Sequence, residues 1–269
     1  MSAGNGSSVL VTGGTCTLGR AVVARLREGE RTVRVLSRRE RPADGTAVDG
    51  SVPEWAVGDL TTGEGLAAAV TGVGSIVHCA TSGTRKDIEG TRRLTEEVRR
   101  AGGNPHLVYI SIVGVDRVPL FYYRAKLEAE RIIQDSGLPW TVLRSTQFHE
   151  LIARITTAQR RLPVAFFPAG FSFQPIEVSE VAERLVELCR GAPAGRVADM
   201  GGPEVRTARE LAQLTLRAYG LRRPVLPVPL LGRTAQGFRA GYHTSPDHAV
   251  GRVPYTEYLE AAAARPAGQ

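Results

Sequence analysis

The stretch Val9-Leu-Val-Thr-Gly-Gly-Thr-Cys-Thr-Leu-Gly19 sets glycines and small hydroxyl residues where an apolar run of strand length gives way to a helical pattern. A strand turning directly into a helix offers the first N–H groups of that helix to an anion, and the chemistry this suits is holding a dinucleotide pyrophosphate. Gly13 permits a tight exit from the strand and Gly19 lets the helix pack closely upon it. Thr12, Thr15, Cys16, Thr17 and Leu18 complete the candidate loop. Farther along, Tyr122 and Lys126 stand four residues apart, hence on one helical face. Lysine occurs only at Lys86 and Lys126, the other 32 of 34 basic residues being arginine, so a compact ammonium at position 126 carries more meaning than the bare spacing.

The elements that must position these groups alternate. Apolar runs at Ser8–Thr12, Thr32–Ser37, Trp55–Val57, Ser75–Cys79, Leu107–Ser111 and Thr141–Arg144 read as strands, each continuous in apolar residues as a sheet covered on both faces requires. Between them Thr17–Gly29, Gly63–Val70, Ile88–Gly102, Tyr122–Gly137 and His149–Arg161 carry helical spacing. The pattern predicts an α/β chain, a Rossmann-like doubly wound parallel sheet. After Arg161 the regular alternation stops. A helix at Val178–Arg190, a strand at Arg196–Met200, a helix at Thr207–Tyr219 and helices near Thr234–Ala240 and Tyr255–Ala264 point to a small C-terminal substrate-binding lobe. We expect one domain over 1–269, with residues 162–269 supplying most of the lobe.

The second strand discriminates between cofactors. Its end reads Leu36-Ser37-Arg38-Arg39, without the carboxylate that bonds a free ribose, whereas Ser37, Arg38 and Arg39 can donate to a 2′-phosphate. NADPH is expected on that ground; the alternative is an exposed basic turn continued by Glu40 and Arg41.

Composition narrows the class. The 42% hydrophobic and 23% charged residues over 269 positions suit a globular chain with a sizeable core. The formal charge of +7 is spread along the chain and interleaved with acids, which argues for solvated faces over nucleic-acid binding. Cys16, Cys79 and Cys189 are odd in number and lack metal-ligand spacing, so neither a disulfide framework nor a metal site is expected. With no secretory signal and no membrane span in the pattern, a cytoplasmic protein is expected, without nucleic-acid or membrane partners and as monomer or homodimer.

The glycine turn, then Tyr109-Ile-Ser-Ile-Val-Gly114 with Phe121-Tyr-Tyr-Arg-Ala-Lys126, then Gly137-Leu-Pro-Trp-Thr-Val-Leu-Arg144-Ser-Thr-Gln147-Phe148-His149, resemble the NmrA-like group of atypical short-chain dehydrogenase/reductases. The resemblance runs from Val9 to about Tyr219. It implies that Asp59 and Leu60 edge the adenine and that Ala80 and Thr81 lie under the cofactor. It further implies that Ser111, Tyr122 and Lys126 form the catalytic set, Tyr122 giving a proton to a carbonyl while Lys126 lowers its pKa and bonds the cofactor ribose. Gln147, Phe148 and His149 would border the substrate, His149 as an acid/base or as a structural residue. Two departures matter: Cys16 replaces the middle glycine of the family turn and fits if its φ is negative and its thiol points aside, and Ser111 is followed by Ile112 where many members carry a second serine.

The activity implied is NADPH-dependent reduction of a ketone, quinone or conjugated carbonyl of a small aromatic or polycyclic metabolite, a ketoreductase of secondary metabolism. A non-catalytic NADP-binding sensor or regulator, and a non-redox enzyme performing dehydration or cyclisation, are the alternatives on the same fold.

Overall fold

A computed structural model describes residues 8–29, 31–40 and 53–264. In chain order the first half holds β1 (Ser8–Thr12), α1 (Thr17–Arg27), β2 (Thr32–Ser37), β3 (Glu54–Val57), α2 (Leu66–Val70), β4 (Ser75–His78), α3 (Lys86–Arg100), β5 (His106–Ile112), α4 (Phe121–Gln134) and β6 (Trp140–Ser145). The second half holds α5 (His149–Thr157), β7 (Ala165–Pro168), β8 (Ser172–Phe173), α6 (Val178–Arg190), β9 (Gly195–Arg196), β10 (Arg206–Thr207), α7 (Ala208–Ala218), β11 (Val225–Val228), α8 (Arg233–Arg239) and α9 (Tyr255–Ala263).

Seven strands form a parallel sheet in the order β3-β2-β1-β4-β5-β6-β9. The chain works outward from β1 to β3 and then crosses back to place β4 on the other side of β1, with Val9 aligned to both Val33 and Ser75. That reversal is the topological switch point of a doubly wound sheet, whose crevice opens at the carboxyl ends of the strands. Helices cover both faces, and for that reason β1 and β4 are apolar without alternation: Val9, Leu10, Val11, Ile76 and Val77 are all fully buried. Each such aliphatic side chain contributes about 1.5–3 kcal/mol on leaving water.

The chain clusters into two compact units. The first takes the chain up to Ser111, then Arg124–Leu143 and Val181–Val197. Its interior is built from Leu10, Leu66, Ile76, Leu94, Leu107, Tyr109, Ile133 and Val142. The second takes Ile112–Tyr123, Arg144–Glu180 and the chain from Ala198 onward. Here Ile152 of α5, Leu211 of α7 and Leu259 of α9 pack together, and Phe171, Ala208 and Ala235 form a separate cluster with Phe167, Phe173 and Phe238.

Several boundaries differ from the sequence reading. α2 begins at Leu66 rather than Gly63 because residues 59–64 spend their hydrogen bonds on a turn: Thr61 N–H donates to Asp59 Oδ1, Gly63 N–H to Asp59 O, and Asp59 N–H to Glu64 O. α5 ends at Thr157, four residues early, where Gln159 turns its amide to the backbone of Phe166 at 2.8 and 3.1 Å. The expected strand at Arg196–Met200 contracts to β9, with Met200 making an isolated bridge to Ser145. Two small ribbons were absent from the sequence reading: β7 with β11 in parallel, and β8 with β10 antiparallel.

Candidate functional site

At the end of β1 the backbone turns at Gly13 with φ +67°, and a Cβ there would lie 2.7 Å from the backbone of Ala80. A Cβ on Gly19 would lie 2.0 Å from the Gly13 carbonyl. Both glycines are therefore obligatory, the first for its dihedral and the closeness of β4, the second for the seating of α1 on the turn. Cys16 is the N-cap of α1, with φ −79° and ψ 169°, ordinary extended backbone for a side-chain-bearing residue. Its Sγ accepts the Gly19 N–H at 3.3 Å, so the thiol takes one of the helix's first amides for itself. The Thr17 and Leu18 amides take no acceptor from the described residues. Two open donors at the positive end of a helix without an acidic first turn are what an anion needs.

Around that turn the first unit forms a cleft of about 370 Å³. It brings together Gly13, Thr15 and Cys16 from the loop, Ser37 and Arg38 from the end of β2, Asp59 and Leu60 after β3, and Ala80 and Thr81 after β4. The remaining loop and β2 residues lie beside the lining. Thr12 is fully buried, Leu18 and Gly19 are in the core, Thr17 opens α1, and Arg39 is exposed with its carbonyl accepting from Trp55 Nε1 at 2.7 Å. The donors present fit a nicotinamide dinucleotide: two helix amides for phosphate, and the Ser37 hydroxyl and Arg38 guanidinium at the edge of β2.

The walls carry residues that sequence reasoning did not assign to the site. Asp87, in the first turn of α3, binds the 81–83 loop: its carboxylate accepts from Thr81 Oγ1 at 2.8 Å, Ser82 N at 2.6 Å and Gly83 N at 3.1 Å. Lys86 stands next to it on the cleft. His78, inside an apolar strand, lines the cleft while being 98% shielded from solvent. Its Nδ1 is 2.6 Å from Thr12 Oγ1 and its Nε2 3.1 Å from Thr91 Oγ1. Because Thr12 Oγ1 accepts from Ala80 N–H at 3.3 Å and Thr91 Oγ1 donates to Asp87 O at 2.7 Å, the hydrogens can be assigned. Thr12 donates to Nδ1, and Nε2–H donates to Thr91. His78 is thus neutral, its pKa held down to about 3 by burial and secondarily by the Lys126 charge. No spacing rule singles out a lone histidine in an apolar run; its position on the β1–β4 register, opposite Thr12, is the signal.

Lys126 of α4 is 3% exposed, donates Nζ–H to Ile110 O at 2.7 Å and lies 4.3 Å above the Tyr109 ring. Burial lowers its pKa to about 8, against the opposing pull of Asp87, Cys79, Glu130 and Cys16. Ser111, at the end of β5, is buried with its hydroxyl lacking a hydrogen-bond partner among the described residues. Tyr122 lies one helical turn before Lys126 on α4.

In the second unit the candidate substrate residues are locally committed. Gln147 donates Nε2–H to His243 O at 3.2 Å, and burial pushes the Tyr123 phenol up to about 12. Phe148 is the N-cap residue of α5. His149 has no exposed surface: Nε2 donates to Val253 O at 3.0 Å, and its ring packs 5.5 Å from Tyr255 and 5.2 Å from Tyr258. Burial holds its pKa down to about 4. Arg144, whose side chain is 7% exposed, forms an ion pair with Asp116 at 2.9 Å.

Among the described residues no helix is long and apolar enough to cross a membrane, and no His, Cys, Asp and Glu cluster is arranged to hold a metal ion. The chain is 31% identical over 220 residues to the (4-alkanoyl-5-oxo-2,5-dihydrofuran-3-yl)methyl phosphate reductase of Streptomyces griseus, covering 79% of this chain and 74% of that protein. It is 29% identical over 239 residues to a photosystem II assembly factor of Trieres chinensis, covering 83% and 72% of the two. In structure it is similar to an NADPH-dependent quinone oxidoreductase of Escherichia coli complexed with NADPH, at TM-score 0.79 and 17% identity over 94% of this chain and 99% of that one. A short-chain dehydrogenase/reductase superfamily protein of Agrobacterium tumefaciens with bound NAD gives TM-score 0.69 and 21% identity over 95% and 96%. A family model described as NAD(P)H-binding matches residues 13–189. That span begins at the glycine that turns the chain out of β1 and ends at Cys189 in α6, so the protein belongs to the NAD(P)H-binding family.

Proposed function

We propose that this protein is an NADPH-dependent reductase of a ketone, quinone or conjugated carbonyl on a small aromatic or polycyclic metabolite. The observation that carries the reading is the buried Lys126 ammonium, one of two lysines in the chain, one turn along α4 from Tyr122. The bound nicotinamide supplies the hydride. The protein's part is to bind, orient and deliver a proton. The Thr17 and Leu18 amides and Thr15 hold the pyrophosphate, with Ser37, Arg38 and Arg39 at the 2′-phosphate, Asp59 and Leu60 beside the adenine, and Ala80 and Thr81 beneath. Tyr122 Oη donates its proton to the carbonyl oxygen as that oxygen gains charge, Ser111 Oγ steadies the same oxygen, and Lys126 keeps the phenol acidic. Gln147 and Phe148 border the substrate, which residues 162–269 chiefly enclose. The protein acts in the cytoplasm, as monomer or homodimer.

Support for a reduced carbonyl comes from the names of the Streptomyces reductase and the quinone oxidoreductase. A second reading is cofactor binding without turnover: the Ser111 hydroxyl is buried with no partner among the described residues and Ile112 follows it where many members carry a second serine, so the proton-delivering set is incomplete on that side. The test is a fluorescence titration with NADPH and NADH in wild type and Arg38→Ala, followed by NADPH oxidation against a quinone and ketone panel in wild type and Tyr122→Phe. Micromolar NADPH binding that weakens in Arg38→Ala, with turnover lost in Tyr122→Phe, is expected. Binding without turnover on any carbonyl selects the regulator; binding of neither nucleotide sinks both readings.

A further inference from the structure

The second unit carries a cleft of about 520 Å³ beside α7, lined by four arginines and no carboxylate. Its shape follows from how α7 stops. Tyr219 is the C-cap, Gly220 follows at φ +66°, and Leu221 N–H returns to Leu216 O at 2.8 Å, while Gly220 N–H bonds Arg217 O at 3.0 Å. This is a Schellman-type ending, in which the residue after the glycine folds back on the last helical turn. Leu221 and the buried Leu216 supply an apolar floor, and the reversed chain carries Arg222 and Arg223 alongside Arg217.

Three features set this cluster apart from scattered surface charge. Arg223 is fixed, its Nη1 donating to the carbonyls of Gln159, at 3.2 Å, and Leu162. Arg209, Arg217 and Arg222 have no carboxylate within ion-pair distance among the described residues, and the neighbouring Glu210 is committed to the helix cap, its Oε2 accepting from Thr207 N at 2.9 Å and Thr207 Oγ1 at 2.8 Å. Arg209 also stands in the first turn of α7, where the helix dipole disfavours a cation, so helix stability does not account for it. Arg209, Gln213 and Arg217 follow at four-residue spacing along one face, about 12 Å from end to end.

We propose that this cleft binds a small organic phosphate monoester: the phosphate is clamped by the forked guanidinium groups of Arg217 and Arg222, with Arg223 as a fixed third charge, and the apolar body lies on Leu216 and Leu221 toward Gln213 and Arg209. The planar fork of arginine matches two phosphate oxygens at once, which a lysine cannot do. The volume suits a ligand of metabolite size. This site is lined by residues of the second unit alone, and the dinucleotide cleft by residues of the first alone.

Calorimetric titration of the full chain with phenyl phosphate, and separately with inorganic pyrophosphate, tests it. Phenyl phosphate is expected to bind with a Kd below about 1 mM. R217A/R222A weakens that binding by about tenfold or more at unchanged Tm, and R217K/R222K, which keeps the charge and loses the fork, by about threefold. The charge-matched R99A/R100A on α3 and the R38A variant of the dinucleotide cleft leave it unchanged. No heat with either probe, full affinity in R217A/R222A, or a loss reproduced by R99A/R100A or by R38A overturns the proposal.

Discussion

His78 in the first unit and His149 and His243 in the second are all buried and all neutral, yet their surroundings differ. Both ring nitrogens of His78 are hydrogen-bonded, to Thr12 and Thr91, and through those hydroxyls to the backbone at Ala80 and Asp87. His149 and His243 each satisfy only Nε2, on the carbonyls of Val253 and Ser172, and leave Nδ1 bare among aromatic rings. A ring held from both sides fixes the chain segments it joins, here the walls of the dinucleotide cleft. A ring held from one side and packed on its faces fixes its own position and little more. His78 thus commits its polar atoms to backbone geometry, whereas His149 and His243 commit their aromatic surface to packing.

The sharpest way to break this contrast is at the chemistry that the first unit supports. Replacing Lys126 by Met removes the ammonium while filling its space, and kcat/KM for NADPH-driven carbonyl reduction is expected to fall by about 10²–10⁴, as general-acid assistance is lost; retention of wild-type turnover would remove Lys126 from the mechanism. In wild type the same rate should decline above pH 8, where the lysine loses its proton, and this limb should be missing from any residual activity of Lys126→Met.

Next comes cofactor choice. Arg38→Ala should raise the Kd for NADPH by about tenfold or more and leave that for NADH unchanged, because only the former carries the 2′-phosphate. Equal weakening of both would move Arg38 off that phosphate.

The comparison itself is tested by stability. His78→Ala strips partners from Thr12 and Thr91 and should cost about 2–4 kcal/mol in chemical denaturation, since a cavity and two unsatisfied hydroxyls are left together. His243→Phe loses one bond to a carbonyl but keeps the ring contacts with Phe173 and Phe238, and about 1 kcal/mol is expected. A reversed order would erase the distinction drawn between these histidines.

The smallest effect concerns pH. Burial depresses the folded-state pKa of His149 and His243 to about 4 from an unfolded value near 6.5. The unfolded chain therefore binds more protons between those values, so the stabilisation is fully present above pH 6.5 and is lost as pH falls toward 4. The Tm of His149→Asn, measured across that interval, should fall less steeply than that of wild type.

The parallel sheet was legible because strands covered on both faces are continuous apolar runs, and helices such as α3 and α6 repeat on a clear period. The ribbons β7–β11 and β8–β10 were not, since two- and four-residue strands containing Pro168 and Pro227 owe their existence to a partner some 30 to 60 positions distant rather than to local preference. In the cleft, Gly13, Ser37, Arg38 and Asp59 could be found because a turn and a strand end are local features. His78 could not, because its meaning depends on Thr12 across the sheet and Thr91 across a helix. Cys16 falls between: its departure from glycine is visible in the letters, but its service as a cap on Gly19 exists only once α1 is formed.

The first unit is assembled from three stretches of the chain, and the last of them, most of α6 with β9, ends only at Val197. Ser75 Oγ must wait for Cys189 O, 114 residues later, before its hydrogen bond exists. On a ribosome the dinucleotide-binding unit is consequently unfinished until Val197 has emerged, with the edge of β6 open to wrong pairing until β9 arrives. A nascent chain halted near residue 160 would be expected to seek a chaperone, whereas one that has passed residue 200 can close its sheet.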